Sequence, residues 1–432
     1  MLVCMCGIVG YAGSIVTPSR KPLEVCIQGL ERLEYRGYDS AGVALASPGM
    51  DHVEVRKKAG RLSNLIENIE EHPLPDATVA IGHTRWATNG VPNDVNAHPH
   101  SSQDGKVAII HNGIIENASQ LRLDLQAEGY RFVSSTDTEV AAKLLGKIVD
   151  NVIAETGQPD LFEAMRRLGR MLEGAFTILA IDCRQPGIVV GARHDSPLVV
   201  GLGEGENYLG SDVAAFVAYT KTAMEIDQDQ AVMISADGVT VTDFDGNIVP
   251  DPVVYTVDWD ASAAEKGGWD SFMDKEIHEE PAAVQRTLIG RLDDNGNINL
   301  DEVRIDEHDF KMIDKIIVIG CGTASYAGLV AKYAIEHWVR IPVEVELAHE
   351  FRYRDPILTP RTLVVAISQS GETMDTLMAL RHAREQGSKV LAICNTQGAS
   401  IPRESDAVLY THAGPEVAVA STKAFVAQIT AA

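Results

Sequence analysis

A chain of 432 residues, 45% hydrophobic and 23% charged, has the composition of an ordinary globular protein and length enough for two or three domains, which excludes disorder, collagen and coiled coil. Its formal net charge of −24 repels phosphodiester backbones and anionic bilayers, so neither nucleic acid nor a membrane is an expected partner. Met1-Leu2-Val3-Cys4 lacks the basic and long apolar stretches of a signal peptide, no run of about 18 apolar residues occurs, and six scattered cysteines make no disulfide framework; a cytoplasmic protein with reduced thiols is expected.

Short β-rich runs dominate the first part of the chain: Gly7 to Tyr11, Ala41 to Leu45, Val79 to Ile81, Val107 to Ile110 and Phe176 to Ile181. Helical periodicity falls between them, at Pro22 to Leu33, Ala118 to Glu128, Thr138 to Asn151 and Leu161 to Leu172. Sheets covered by helices, an α+β layering, are expected over residues 6–257. Residues 258–290, Ala- and Gly-rich and then charged, with a helical run from Phe272 ending near Pro281, read as a linker. From Lys315 strands and helices alternate, with strands at Lys315 to Ile319, Val343 to Leu347, Leu363 to Ile367, Val390 to Ile393 and Val408 to Tyr410, and helices from Ser325 and Thr373. That alternation predicts a parallel, doubly wound sheet over 291–432.

Cys6 heads the first strand and reads either as a small buried residue or, were it N-terminal, as a nucleophile served by its own α-amine. Cys4-Met5-Cys6 has no second Cys pair or nearby His, so no metal site is expected there. Gly82-His83-Thr84-Arg85-Trp86 sits at a strand end, where Arg85 could clamp a carboxylate or join a surface ion pair. His111-Asn112-Gly113 is a turn signal that also offers the amide and backbone N–H of an oxyanion hole. Thr136 and Glu139 are spaced as a capping box, which leaves Asp137 without a structural role.

Taken together, Cys6 to Gly10, Leu33 to Gly42, Gly82 to Thr88, Asn96 to Pro99, His111 to Asn117 and Thr136 to Glu139, in that order, resemble the N-terminal glutaminase domain of the glutamine–fructose-6-phosphate aminotransferase family, the glucosamine-6-phosphate synthases. The resemblance implies a class II, N-terminal-nucleophile (Ntn) amidotransferase with an αββα sandwich. In it Cys6 attacks the glutamine carboxamide, Asn112 and Gly113 hold the oxyanion, and Arg85 and Asp137 hold the carboxylate and ammonium of glutamine. Trp86 and Thr88 border the glutamine site, Trp86 as gate for ammonia, and Arg36 is support rather than chemistry. Two departures stand out: Met1 to Met5 precede the cysteine that begins the family's mature chain, and Asn89 replaces a frequent His. Translation from Met5, or trimming, is the expected route to a free Cys6 amine.

In the second half, Ser368-Gln369-Ser370-Gly371-Glu372-Thr373 joins a strand to a helix and is either a cap with spare hydroxyls or an anion site built without Lys or Arg. Gly320 to Ser325 repeats the strand-to-helix setting. With Glu350 to Arg354 and Val419 to Phe425, these turns resemble the first sugar-isomerase (SIS) domain of the same family. The resemblance implies that Ser368, Gln369, Ser370 and Thr373 bind the phosphate of fructose 6-phosphate, with Thr323, Val419 and Ser421 lining the sugar. Ala324 replaces a frequent Ser, and Lys423 is read as structural rather than as a Schiff-base lysine.

The expectation is therefore a transferase making glucosamine 6-phosphate and glutamate from fructose 6-phosphate and glutamine, with no metal or organic cofactor, homodimeric when full length. The chain stops at Ala432 inside an apparent helix, so the SIS domain is expected to be cut short and a second SIS domain missing, leaving glutamine hydrolysis and sugar-phosphate binding. Neither the S-G-G-x-D-S loop of asparagine synthetase nor an Asp-Asp ribose-phosphate loop is present. The alternative from another class is a non-catalytic sugar-phosphate sensor with an inactive glutaminase domain.

Overall fold

The computed structural model describes residues 6–14, 20–34, 37–86, 90–250, 252–257, 267–291, 298, 300, 303, 305, 307–397, 399–418 and 420–432. Its contacts divide the chain into two units, one of Cys4–Ala261 and one made chiefly of Ser262–Ala432.

The first unit runs through β1 (Gly7–Gly13), α1 (Pro22–Leu33), β2 (Ser40–Ala46), β3 (Glu54–Ala59), α2 (Leu62–Glu71), β4 (Val79–Arg85), β5 (His100–Ser101), β6 (Val107–Gly113) and three helices, α3 (Ala118–Ala127), α4 (Asp137–Thr156) and α5 (Leu161–Met171). It continues with β7 (Phe176–Asp182), β8 (Ile188–His194), β9 (Val199–Leu202), β10 (Glu206–Gly210), β11 (Thr222–Glu225), β12 (Gln230–Ser235), β13 (Val239–Asp243) and β14 (Val254–Thr256). Two antiparallel sheets result, ordered β14-β11-β9-β10-β1-β4-β2-β3 and β13-β12-β8-β7-β6-β5.

Side chains alternate across each strand with a period of two, and here both faces are buried. In β1, Ile8 and Ala12 face the other sheet, where they meet Ala108, Ile110, Leu179 and Ile181. Val9 and Tyr11 face outward onto Val25, Leu30 and Leu65 of α1 and α2. On the second sheet, Val107, Ile109, Phe176 and Ile178 face out onto Val140, Leu144 and Leu168 of α4 and α5. The layers are thus helix, sheet, sheet, helix, as the family resemblance implies.

The second unit contains α6 (Phe272–Leu288), α7 (Glu307–Met312), β15 (Lys315–Gly320), α8 (Thr323–Trp338), β16 (Val343–Leu347), α9 (Ala348–Arg354), β17 (Thr362–Ser368), α10 (Met374–Glu385), β18 (Lys389–Cys394), α11 (Ser400–Glu404), β19 (Ala407–Tyr410) and α12 (Lys423–Ala431). Its five strands are all parallel, in the order β16-β15-β17-β18-β19. One face, with Val318, Val365 and Ile393, packs on Ala327 of α8 and Phe425 of α12; the other, with Ile319, Ala366 and Ala392, packs on Phe351, Leu377 and Ile401. Helices on both faces of a parallel sheet define the doubly wound arrangement.

One expectation is corrected. The helix from Phe272 does not end near Pro281 but runs through it to Leu288. Pro281 removes one N–H from the ladder, and the carbonyl it orphans belongs to Ile277, which is 47% exposed and reachable by water. Nor does this helix stand apart: Thr287 Oγ1 donates to the Thr411 carbonyl at 2.6 Å, and Arg286 Nη2 to that of Ala413 at 2.9 Å. No helix among the described residues is long and apolar enough to cross a membrane.

Candidate active site and anion-binding loop

Strand pairing brings the N-terminal cysteine to the arginine. β1 and β4 are antiparallel with Gly7 opposite Thr84, so Cys6 arrives beside Arg85 and Trp86 at the far end of β4. The Cys6 sulfur accepts a hydrogen bond from the Trp86 N–H at 3.1 Å. Gly37 lets its own segment lie close against the end of β4, since a Cβ there would lie 2.6 Å from the Arg85 carbonyl carbon. Trp86 packs edge-on against Tyr38 with ring centroids 5.2 Å apart.

The second sheet delivers the amide. β6 ends in Asn112-Gly113, and Asn112 Nδ2 donates to the Cys6 carbonyl at 2.6 Å. Gly113 has φ +120°, and a Cβ there would sit 2.0 Å from the Ala175 carbonyl oxygen, so no other residue fits. His83 Nε2 lies 3.0 Å from the His111 carbonyl and 3.1 Å from Asn112 Oδ1. A carbonyl only accepts, so Nε2 carries the proton and donates to both. That bond fixes which way the Asn112 amide points: oxygen to His83, NH2 toward Cys6.

Asp137 opens α4. Its Oδ2 accepts from the Ile115 N–H and its Oδ1 from the Thr138 N–H, both at 2.9 Å. Thr136 caps the same helix by accepting from the Glu139 N–H at 3.3 Å, while the Glu139 carboxylate takes the Ser134 N–H at 2.6 Å. Arg85, nearly buried, lies in the fields of Cys6, Asp137 and Asp39. The structure therefore brings Cys6, Arg85, Trp86, Asn112, Gly113 and Asp137 together. Thr88 and Asn89 lie outside the described residues, as do Met1 to Met5 and Arg36.

Burial pushes the Cys6 thiol up to about 11, against the pull of the Trp86 N–H and the Arg85 charge. At pH 7 roughly one molecule in 10,000 would be thiolate, so attack needs a base at the sulfur.

Sequence reasoning left four histidines without a role. His83, His98, His100 and His111 are all buried, with His83 and His98 ring centroids 4.3 Å apart and His98 and His100 5.2 Å apart. Burial lowers all four, His83 to about 3, so they are neutral hydrogen-bonding groups at neutral pH. His83, His98 and His111 do lie inside motifs the sequence singles out, but their meeting requires two sheets to face each other. Lys57, pulled down to about 8 by burial, donates to the carbonyls of Ala97 at 2.6 Å and Pro99 at 3.0 Å and pins the loop that carries His98.

In the second unit the anion loop joins β17 to α10. Ser368 Oγ accepts from the Gly371 N–H at 3.0 Å and lies 3.3 Å from Thr373 Oγ1; Ser370 Oγ accepts from the Glu372 N–H at 3.2 Å. Gly371 has φ +68°, with Ala399 Cβ 2.5 Å from where its own would stand. The Gln369 carbonyl accepts from the Asn395 N–H at 3.2 Å, which ties the loop to the end of β18. Thr373 occupies the N-cap of α10 without spending its hydroxyl on the helix. Thr323 starts α8 on the same carboxyl edge of the sheet and is exposed. Ser421 Oγ donates to Glu416 at 3.5 Å; Glu416 also takes the Thr422 and Ala424 N–H groups at 2.8 and 3.0 Å. Lys423 is buried and paired with Glu279 of α6. Val419 lies outside the described residues.

An αββα sandwich with a strand-heading cysteine beside Asn-Gly, followed by a doubly wound parallel sheet, defines an Ntn-type glutamine amidotransferase joined to a sugar-isomerase fold. Residues 70–244 match the family described as glutamine amidotransferase domain, and residues 310–432 the SIS domain. Over 99% of its length the chain is 62% identical to the glutamine–fructose-6-phosphate aminotransferase (isomerizing) of Corynebacterium diphtheriae, of which it covers 68%. It is 61% identical to that of Streptomyces coelicolor and 54% to that of Mycobacterium tuberculosis, over 99% of this chain and 67% and 68% of theirs. The chain belongs to this aminotransferase family. Among solved structures it is similar to the C-terminal domain of the glucosamine-fructose-6-phosphate aminotransferase of Francisella tularensis, at 44% identity over 39% of this chain and 47% of that one, with a TM-score of 0.37.

Proposed function

We propose that the first unit hydrolyses glutamine to glutamate and ammonia, and that the second binds fructose 6-phosphate, the acceptor that becomes glucosamine 6-phosphate in the complete reaction. The observation that supports this best is the joining of Cys6, Asn112 and Arg85 from three strand ends with Asp137 from a helix start. Arg85 and Asp137 carry opposite charges that suit the carboxylate and ammonium of a free amino acid. Cys6 Sγ attacks the side-chain carbonyl, and its proton goes to the Cys6 α-amine, whose usual pKa near 8 makes it a base at neutral pH. The Asn112 amide and the Gly113 N–H hold the oxyanion; collapse expels ammonia, and water then releases glutamate. Thr88 and Trp86 are assigned to glutamine binding on the family resemblance alone. Ser368, Gln369, Ser370 and Thr373 receive the phosphate, and Thr323, Val419 and Ser421 the sugar.

We assign residues 6–257 to the glutaminase domain and 291–432 to the SIS domain, with 258–290 joining them and α6 docked on the latter. The chain covers 68% of its C. diphtheriae relative, and we expect its 432 residues to hydrolyse glutamine and bind the sugar phosphate while making little or no amino sugar. Dimerisation and a cytoplasmic location belong to the same reading.

The test is glutamate release by a chain beginning at Cys6, beside one retaining Met1 to Met5. Turnover only by the former is expected. Equal turnover by both would overturn the α-amine as base, and none by either, with fructose 6-phosphate still bound, would favour the sensor.

A further inference from the structure

Three neighbouring strands of the parallel sheet each lead, within one to seven residues, to a metal-binding side chain. Cys321 follows β15, His349 is the second residue after β16, and Asp375 lies in the first turn of α10 after β17. In the sheet these strands run β16-β15-β17, so the three residues converge on one stretch of the carboxyl edge. The Cys321 sulfur, a His349 ring nitrogen and an Asp375 carboxylate oxygen all lie within 4.8 Å of one another, and all three residues are half-buried.

From this convergence we propose that Cys321, His349 and Asp375 form a binding site for a divalent transition ion of the zinc class. The reading goes beyond the glutaminase and sugar-phosphate roles and does not rest on them. The donor set selects the ion. Magnesium and calcium take oxygen ligands, whereas one thiolate, one imidazole and one carboxylate suit a borderline-soft ion such as Zn²⁺ or Co²⁺. Bonds of about 2.0 to 2.3 Å in a tetrahedral site put ligand atoms about 3.5 Å apart, so a closing movement of about an ångström, within the reach of side-chain rotation, completes the site. Three protein ligands leave a fourth position open, unlike a closed structural zinc. Asp375 lies only two residues beyond Thr373 of the anion loop, so the ion would place positive charge on the edge where a hydroxyl loop that carries Glu372 and no Lys or Arg offers itself to a phosphate.

The experiment is a Co²⁺ titration of the full chain under reducing, chelator-free conditions, read by the near-ultraviolet thiolate-to-cobalt charge-transfer band, with Zn²⁺ as competitor. Saturation at one equivalent is expected, with the band abolished in Cys321→Ser, kept in Cys6→Ala, and affinity lowered more than about tenfold in both His349→Ala and Asp375→Asn. Circular dichroism checks that each variant is folded, with His349→Gln and Cys321→Ala replacing any that is not. No band in the parent chain, a band that survives loss of Cys321, or loss with Cys321 alone while the His349 and Asp375 variants bind as tightly as the parent would each overturn the proposal.

Discussion

The candidate sites of the two units offer opposite means of holding a charged ligand. The first commits buried charges, Arg85 and Asp137, held by strand and helix ends in a low-dielectric interior. The second presents hydroxyls and the start of a helix at Ser368 to Thr373 without a cation in the loop. The difference follows from the ligands proposed for them. A zwitterionic amino acid needs two opposite charges at fixed separation, and a buried ion pair loses much if either member goes unmatched. A phosphate dianion can be held by many weak donors, so an acidic protein can bind it with no local excess of lysine or arginine.

The largest way to sharpen that contrast is Cys6→Ala. Glutamine hydrolysis should fall to background while fructose 6-phosphate binding, measured calorimetrically, stays unchanged; a parallel loss of both would break the separation. Next, Asn112→Ala should lower kcat for hydrolysis about 10²- to 10³-fold with little change in KM, the cost of one oxyanion donor. A pH test follows. The unfolded chain protonates His83 near 6.5, but the folded one only near 3, so the unfolded state binds more protons in between and stability falls as pH drops through that window. Between pH 7 and 5 this one group should cost about 2 kcal/mol, seen in denaturant unfolding of the first unit and removed in His83→Gln. Smallest, Ser368→Ala removes the acceptor for the Gly371 N–H and should weaken fructose 6-phosphate binding about tenfold while leaving glutamine hydrolysis intact.

Much of this was legible in the sequence, for physical reasons that differ by region. Core strands buried on both faces read as apolar runs, as Leu363 to Ile367 does within β17; the edge strand Val343 to Leu347 alternates Val with Glu and agrees with the structure at both ends. β3 carries no apolar signal because Glu54-Val55-Arg56-Lys57-Lys58-Ala59 is an edge strand, last in its sheet, where charge is tolerated. Apolar periodicity does not single out the seven strands from Ile188 to Thr256: β9, β11 and β14 are only three or four residues long, and the fully buried β10 carries Glu206 and Asn207. Pro281 reads as a helix end because proline usually is one, yet the helix continues through it, at a point where Ile277, four residues earlier, is exposed. At the candidate site, Cys6, Arg85, Asn112 and Asp137 could be picked out by residue type and position. That His83 orients Asn112 could not: the bond joins residues 29 apart, on different sheets, and no spacing rule reports a contact across a sandwich.

That bond has a wider meaning. β4 belongs to one sheet and β6 to the other, so the separation of the layers, set by Ile81, Ile110 and Leu179, becomes a ruler for the direction of the Asn112 amide. Mutational tolerance of this core should therefore be scored in turnover as well as in melting temperature. A Leu179→Ala chain that still folds would carry a miscalibrated oxyanion donor far from the lesion, much as a shortened spacer detunes an optical cavity.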